Sequence, residues 1–275
     1  MTETRAERMR WPDITAYLEH DDRAIIAIGA VEQHGSHCAM GTDTMIADAV
    51  ARAAAERTGV VVYPPIWFGW SDMHMGFEGT VSLRPSTMQA ILTDFVESLT
   101  RAGFRRFLFL NGNRRVNLPP MQIAATELTN AGGRIVAVAD VAYLAYDQVA
   151  TLRRSPPGGI GHAGEIETSV MCHIHPDCVW LENAVSAPTH AATPQRVFMS
   201  SDPAFDGGDR FLLPRTAEQF RASTKETGVS GDPTFANAET GVAVFTEMVD
   251  GLVKVLDILR ETPLPPAPVS RANQG

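Results

Sequence analysis

Between residues 24 and 139 the chain alternates short, solidly apolar runs with helical stretches, and few folds accommodate that rhythm. The runs at 24–31, 60–63, 107–110 and 134–139 have strand length and read as strands buried on both faces. Between them lie an Ala-rich helix at 44–57 and a helix from Pro85 towards Gly103, with Ile91, Leu92, Phe95, Val96 and Leu99 at helical spacing. Pro64 and Pro65 are expected to stop the second strand. Pro119 and Pro120 are expected to open a helix capped by Asn117. A short helix at 11–19 and an amphipathic one at 238–259 complete the pattern. It predicts an α/β fold: a mainly parallel sheet with helices on both faces, one domain over 1–275, a core at about 11–261 and a loose tail at 262–275. Residues 186–235, rich in Pro, Gly, Ser, Thr and Asp, are too long for a structureless loop and should be partly ordered at a pocket or a subunit contact.

Charge narrows the partners. The net charge of -9 argues against nucleic acid and anionic membranes, which reward basic patches. No apolar run approaches the roughly 20 residues that span a bilayer, and the charged N-terminus does not resemble a signal peptide, so a cytoplasmic protein is expected. Cys38, Cys172 and Cys178 lack zinc-finger spacing.

The polar residues gather where strands stop. The first strand leads into Glu32-Gln33-His34-Gly35, and Asp43 stands just before the Ala-rich helix. On an extended segment Glu32 and His34 point to the same side. A Glu, a His and an Asp from a strand end and a helix start make a candidate divalent metal site; a capped, solvated turn is the ordinary alternative. The loop at 67–80 carries Trp67, Trp70, His74 and Glu78, and Trp70, His74 and Glu78 are candidates to line a substrate pocket. The tryptophans could equally fill the core or a subunit contact, and His74 could lie on the surface. Further on, His162-Ala163-Gly164-Glu165-Ile166-Glu167 opens an apolar helix. Glu165 and Glu167 cannot share a helix face, so they should do different jobs.

Three stretches together resemble the creatininase (creatinine amidohydrolase) family. They are Glu32-Gln33-His34-Gly35 with Asp43, Gly76-Phe77-Glu78-Gly79-Thr80 (where the family usually has Pro in place of Glu78), and His162-Ala163-Gly164-Glu165 with Glu167-Thr168-Ser169. Gly231-Asp232-Pro233 resembles the family's ending, so the likeness runs from about residue 24 to 260. The resemblance implies a single α/β domain, usually assembled as a homohexamer, with a binuclear divalent metal site. It also implies hydrolysis of C–N bonds in small substrates, often cyclic or formyl amides and in some members peptides. Carried over by position, Glu32 would bind one metal, His34 the other, Asp43 would bridge them, Glu165 would complete the second site and His162 would handle protons. Glu167 is a further catalytic candidate, and zinc, manganese or iron is the expected cation.

This chain departs from the family at one ligand. Where the family has a histidine after the third strand there is Asn113, followed by Arg114 and Arg115 in place of two glycines. An amide oxygen is a poor substitute for imidazole on zinc, iron or manganese, and a guanidinium opposes a cation but welcomes a carboxylate. Three readings stay open. A hydrolase could use one metal on His34, Asp43 and Glu165, with Arg114 or Arg115 holding an anionic substrate group. A two-metal enzyme could complete its first site with Asn113 or His74. A metal-free member with lyase, cyclase or binding function could use the arginines in place of the cation.

Overall fold

A computed structural model describes residues 3–188 and 214–267, with Arg114 and Arg115 described by their backbone alone. At its centre is a four-stranded parallel sheet in the order β2-β1-β3-β4: β1 at Arg23–Ile28, β2 at Val61–Ile66, β3 at Arg106–Asn111 and β4 at Ile135–Asp140. Successive residues of a strand face opposite sides, so each strand feeds two cores. Ile25, Ala27, Leu108 and Leu110 pack on one face against α2 (Thr42–Thr58), α5 (Val141–Leu144), α6 (Tyr146–Leu152), α7 (Glu165–Ile174) and α9 (Ala238–Glu261). Ala24, Ile26, Ile28, Phe107 and Phe109 pack on the other against α1 (Trp11–Leu18), α3 (Pro85–Ala102) and α4 (Arg114–Asn130). This is the helix-covered parallel sheet that the apolar runs predict. Each fully buried Ile, Leu or Phe of these strands stabilises the fold by about 1.5–3 kcal/mol relative to exposure.

Several boundaries differ from expectation, each for a physical reason. β2 runs through Pro64 and Pro65 because it is an edge strand with an irregular ladder there: Val62 N donates outward to Thr4 O, so Pro64 also faces the outer side, and Pro65 falls where the pairing with β1 slips. Its pairing with β1 shifts there: Ile26 lies opposite Tyr63 and Ile28 opposite Ile66. The fourth helix starts at Arg114, so Asn117 lies inside it, is no cap, and Pro119 and Pro120 are internal. Asn117 instead joins two segments: its Nδ2 donates to Gly29 O at 2.9 Å and its Oδ1 accepts from Trp70 N at 2.9 Å.

The described part of the expected loose tail is tied down, since Gly133 N donates to Pro266 O at 3.1 Å. Of residues 186–235, positions 189–213 lie outside the described residues. The remainder forms α8 (Ala217–Ser223) and a strand-like bridge between Ala187 and Gly231. The three cysteines are free thiols. No helix among the described residues is long and apolar enough to cross a membrane.

Candidate metal centre

The polar residues collect beyond the carboxyl ends of β1 and β3, the usual ligand position in an open α/β sheet. There the segment after β1 meets the N-termini of α2, α4 and α7. Their unpaired N–H groups and aligned dipoles favour the carboxylates of Asp43, Glu165 and Glu167 in first turns. The approach is close: a Cβ on Gly112, in the β3–α4 turn, would lie 2.1 Å from the Asp43 carbonyl oxygen, so only glycine fits. The segment after β1 is not a regular strand. Val31 bridges Val81, and Gln33 N donates to Thr80 Oγ1 at 3.3 Å, which fastens the aromatic loop over it.

One half of the centre surrounds Glu32, which is 1% exposed. Its Oε2 accepts from Asn113 Nδ2 at 2.7 Å, while its Oε1 lies 3.2 Å from His74 Nε2 and 3.6 Å from His162 Nδ1. Asn113 is aimed by Asn111, whose Oδ1 accepts from Asn113 N and whose Nδ2 donates to Asn113 O and to Asp140 Oδ2. Burial, and then the Asp43 charge, push the Glu32 carboxyl well above the usual carboxylate range, against the pull of His34, Ser71 and Asn113.

The other half surrounds His34, which has no exposed surface. Its Nδ1 lies 3.1 Å from the Glu32 carbonyl oxygen, which can only accept, so Nδ1 carries a proton. The other nitrogen, Nε2, faces Asp43 Oδ1 at 3.2 Å and Glu167 Oε2 at 4.0 Å. Neither His34 Nε2 nor Asp43 Oδ2 has a hydrogen-bond partner among the described residues. A lone pair against carboxylate oxygens is repulsive, so a positive species belongs there, either a proton or a metal cation. Burial alone would lower the His34 pKa; the Asp43 carboxylate, with Glu167 and Glu32 behind it, overrides that and raises it to about 10. The Glu167 carboxyl is itself pushed up to about 7 by burial, with Asp43 adding to the rise and His34 opposing it.

His162 lies between the halves, its ring centroid 4.4 Å from that of His34 and 4.3 Å from that of His74. Burial, and then His74 and His34, hold its pKa well below the ordinary imidazole value, against the pull of the Gln33 carbonyl. Three sets of side chains have ligand atoms mutually within 4.8 Å: Glu32–His34–Asp43, His34–His162–Glu167 and Glu32–His74–His162.

The structure thus brings together Glu32, His34, Asp43, Asn113, His162, Glu167 and His74. It places Glu165 elsewhere, although the resemblance implied a ligand. Its Oε1 accepts from Arg154 N at 2.6 Å and its Oε2 from Ser155 N at 2.8 Å, so the carboxylate anchors the 154–155 loop. Glu167, two residues on along the helix, points to the centre, and Ala163 N donates to its Oε2 at 2.6 Å. Ala163 adopts a left-handed backbone (φ 52°) to do so, an uncommon conformation for a non-glycine residue.

Glu78 sits out at the surface with its side chain 92% exposed, 3.9 Å from Arg221. Trp70 contributes its backbone N–H to Asn117; its indole Nε1 is buried without a hydrogen-bond partner among the described residues. The side chains of Arg114 and Arg115 lie outside the described residues. Gln33 was missed by sequence reasoning, although its side chain reaches both His74 and His162.

Comparison with known proteins gives the family. The family profile described as creatinine amidohydrolase matches residues 7–256. The mycofactocin precursor peptide peptidase of Mycolicibacterium smegmatis is 33% identical over 236 residues, covering 82% of this chain and 81% of the relative. The creatinine amidohydrolase of Pseudomonas putida is 30% identical over 235 residues, covering 80% and 88%. A solved manganese form of creatininase superposes with a TM-score of 0.75 at 25% identity, covering 95% of this chain and all of the other. On the profile match and these relatives, the chain belongs to the creatininase family of amidohydrolases.

Proposed function

We propose that this protein hydrolyses an amide C–N bond with one divalent cation held by His34, Asp43 and Glu167. The observation that carries the reading is the buried His34 Nε2, which faces the Asp43 and Glu167 carboxylates without a hydrogen-bond partner among the described residues, a position that only a proton or a cation satisfies. An imidazole and two carboxylates suit zinc, manganese or iron, and three protein ligands leave a position open for water. A cation bound there supplies Lewis acidity, lowering the pKa of a water and polarising the amide carbonyl.

The remaining steps belong to the chain. His162 Nε2 lies 2.7 Å from the Gln33 carbonyl oxygen and therefore carries a proton, which leaves the Nδ1 lone pair turned towards the centre. Nδ1 takes the proton of the attacking water and delivers it to the amide nitrogen as the C–N bond breaks, giving an acid and an amine. Asn113 and His74 hold Glu32 in place.

One relative is named a precursor-peptide peptidase and another a creatinine amidohydrolase, which supports an amide in a peptide or a small ring as the substrate class. Arg114 and Arg115 open α4 beside Asn113, and we assign them a carboxylate on that substrate. Family membership also supports a homohexamer and a cytoplasmic setting. The test is to strip the protein with a chelator, restore zinc, manganese or iron, and assay cyclic amides, formamides and short peptides bearing a carboxylate. Hydrolysis that returns with metal, and is absent in His34→Ala, is expected; turnover indifferent to both would overturn the reading.

A further inference from the structure

We infer that Gln33 is a positioning residue. It fixes the tautomers of His74 and His162 and so makes His74 a hydrogen-bond donor to Glu32, where a second cation would otherwise need a lone pair. The consequence for cation number deepens the single-cation reading and rests on it, whereas the tautomer assignment stands on the protein's own hydrogen bonds.

The Gln33 amide cannot be turned over. Its Oε1 accepts from Gly35 N at 3.0 Å and its Nε2 donates to Gly228 O at 2.9 Å. Reversal would set N–H against N–H and oxygen against oxygen. Gly228 is shaped for this contact, with φ at +73° and space for no side chain: a Cβ would lie 1.9 Å from Gln33 Oε1. The second Nε2 proton then meets His74 Nδ1 at 3.0 Å. Nδ1 must accept it, so the neutral ring carries its proton on Nε2, 3.2 Å from Glu32 Oε1.

The backbone of the same residue sets the second histidine. The Gln33 carbonyl can only accept, so His162 Nε2 at 2.7 Å carries the proton. The 2.9 Å approach of Gln33 Nε2 to His162 Nε2 is therefore a contact between two donors, not a hydrogen bond. His162 Nδ1 is left as a lone pair towards Glu32 Oε1, 3.6 Å away. Glu32 thus receives N–H groups from His74 and Asn113 and faces a base on His162. For His74 to ligate a metal through Nε2, its proton would have to move to Nδ1, against a glutamine amide held by two backbone groups.

The experiment is ¹⁵N-resolved NMR of the histidine rings in the metal-free wild type, Gln33→Glu and Gln33→Met, with cation content measured on the reconstituted proteins. In the wild type both His74 and His162 should be Nε2–H tautomers. Gln33→Glu presents an acceptor to His74 Nδ1 while Glu32 still faces Nε2, so the metal-free variant should carry protons on both nitrogens of His74 while His162 keeps its tautomer. With its other proton held on Nδ1, His74 can give up the Nε2 proton to a cation, so the cation content of the reconstituted variant should rise from about one to about two per chain. Gln33→Met, lacking donor and acceptor, leaves Glu32 alone to hold the Nε2 proton, so the Nε2–H share of His74 should fall below that of the wild type. A wild-type His74 in the Nδ1–H form overturns the inference even if neither variant folds; so does a His74 Nδ1 that still carries no proton in a folded Gln33→Glu. A wild type that binds no cation yet shows His74 as Nε2–H contradicts the single-cation function and supports the tautomer assignment.

Discussion

Around Glu32 the protein supplies donors: the Asn113 amide at 2.7 Å and the His74 ring at 3.2 Å each meet one carboxylate oxygen. Around His34 it supplies acceptors, with Asp43 and Glu167 facing an imidazole nitrogen that has no donor to offer when neutral. Ligand atoms of Glu32, His34 and Asp43 are nonetheless within 4.8 Å of one another. Neighbouring groups of nearly the same chemistry thus reach opposite hydrogen-bond balances. A buried carboxylate needs either donors or a cation: Glu32 receives donors from Asn113 and His74, whereas Asp43 Oδ2, beside His34, has no hydrogen-bond partner among the described residues. In this account the Glu32 half has replaced a cation with neutral N–H groups, and the His34 half still calls for one.

The largest effect should come from the acceptor half. His34→Ala or Asp43→Asn should abolish cation binding and lower amide hydrolysis on the order of 10³-fold, several kcal/mol of charge stabilisation, read by metal analysis and steady-state kinetics. His162→Ala should lower kcat on the order of 10²-fold with cation content unchanged, because it removes a proton carrier and not a ligand. Asn113→His would break the contrast between the halves by replacing an amide donor with an imidazole lone pair beside Glu32. Cation content should rise towards two per chain, with a change in affinity of roughly 10-fold or more. The smallest effect separates the two glutamates of α7: Glu165→Gln should keep the cation and cost about 1–3 kcal/mol of stability in urea unfolding, since it weakens the bonds to Arg154 N and Ser155 N.

How much of this was legible in the sequence depends on the length scale. Strand-length apolar runs report burial directly, so the four strands and their helix-covered sheet could be read from them. Glu32, His34 and Asp43 stood out because they follow a strand end and precede a helix. Glu165 and Glu167 could be told apart only as a pair with different jobs. Which of them faces the centre depends on the 154–155 loop, whose backbone N–H groups claim Glu165. Gln33 was hidden for a similar reason. In a regular strand it would point away from Glu32 and His34, but the segment is held by isolated bridges and the glutamine turns inwards. The prolines misled in both places because their effect depends on neighbours: at the sheet edge Pro64 and Pro65 are taken up by a slip in the β1 pairing, and α4 continues through Pro119 and Pro120.

The central claim is that one half of the centre calls for a cation and the other does not. Its most direct measurement is the cation content per chain, as isolated and after reconstitution with manganese, zinc or iron, in the wild type and His34→Ala. The account predicts about one cation per folded chain in the wild type and none in the variant. About two in the wild type, or none with the fold intact, would contradict it.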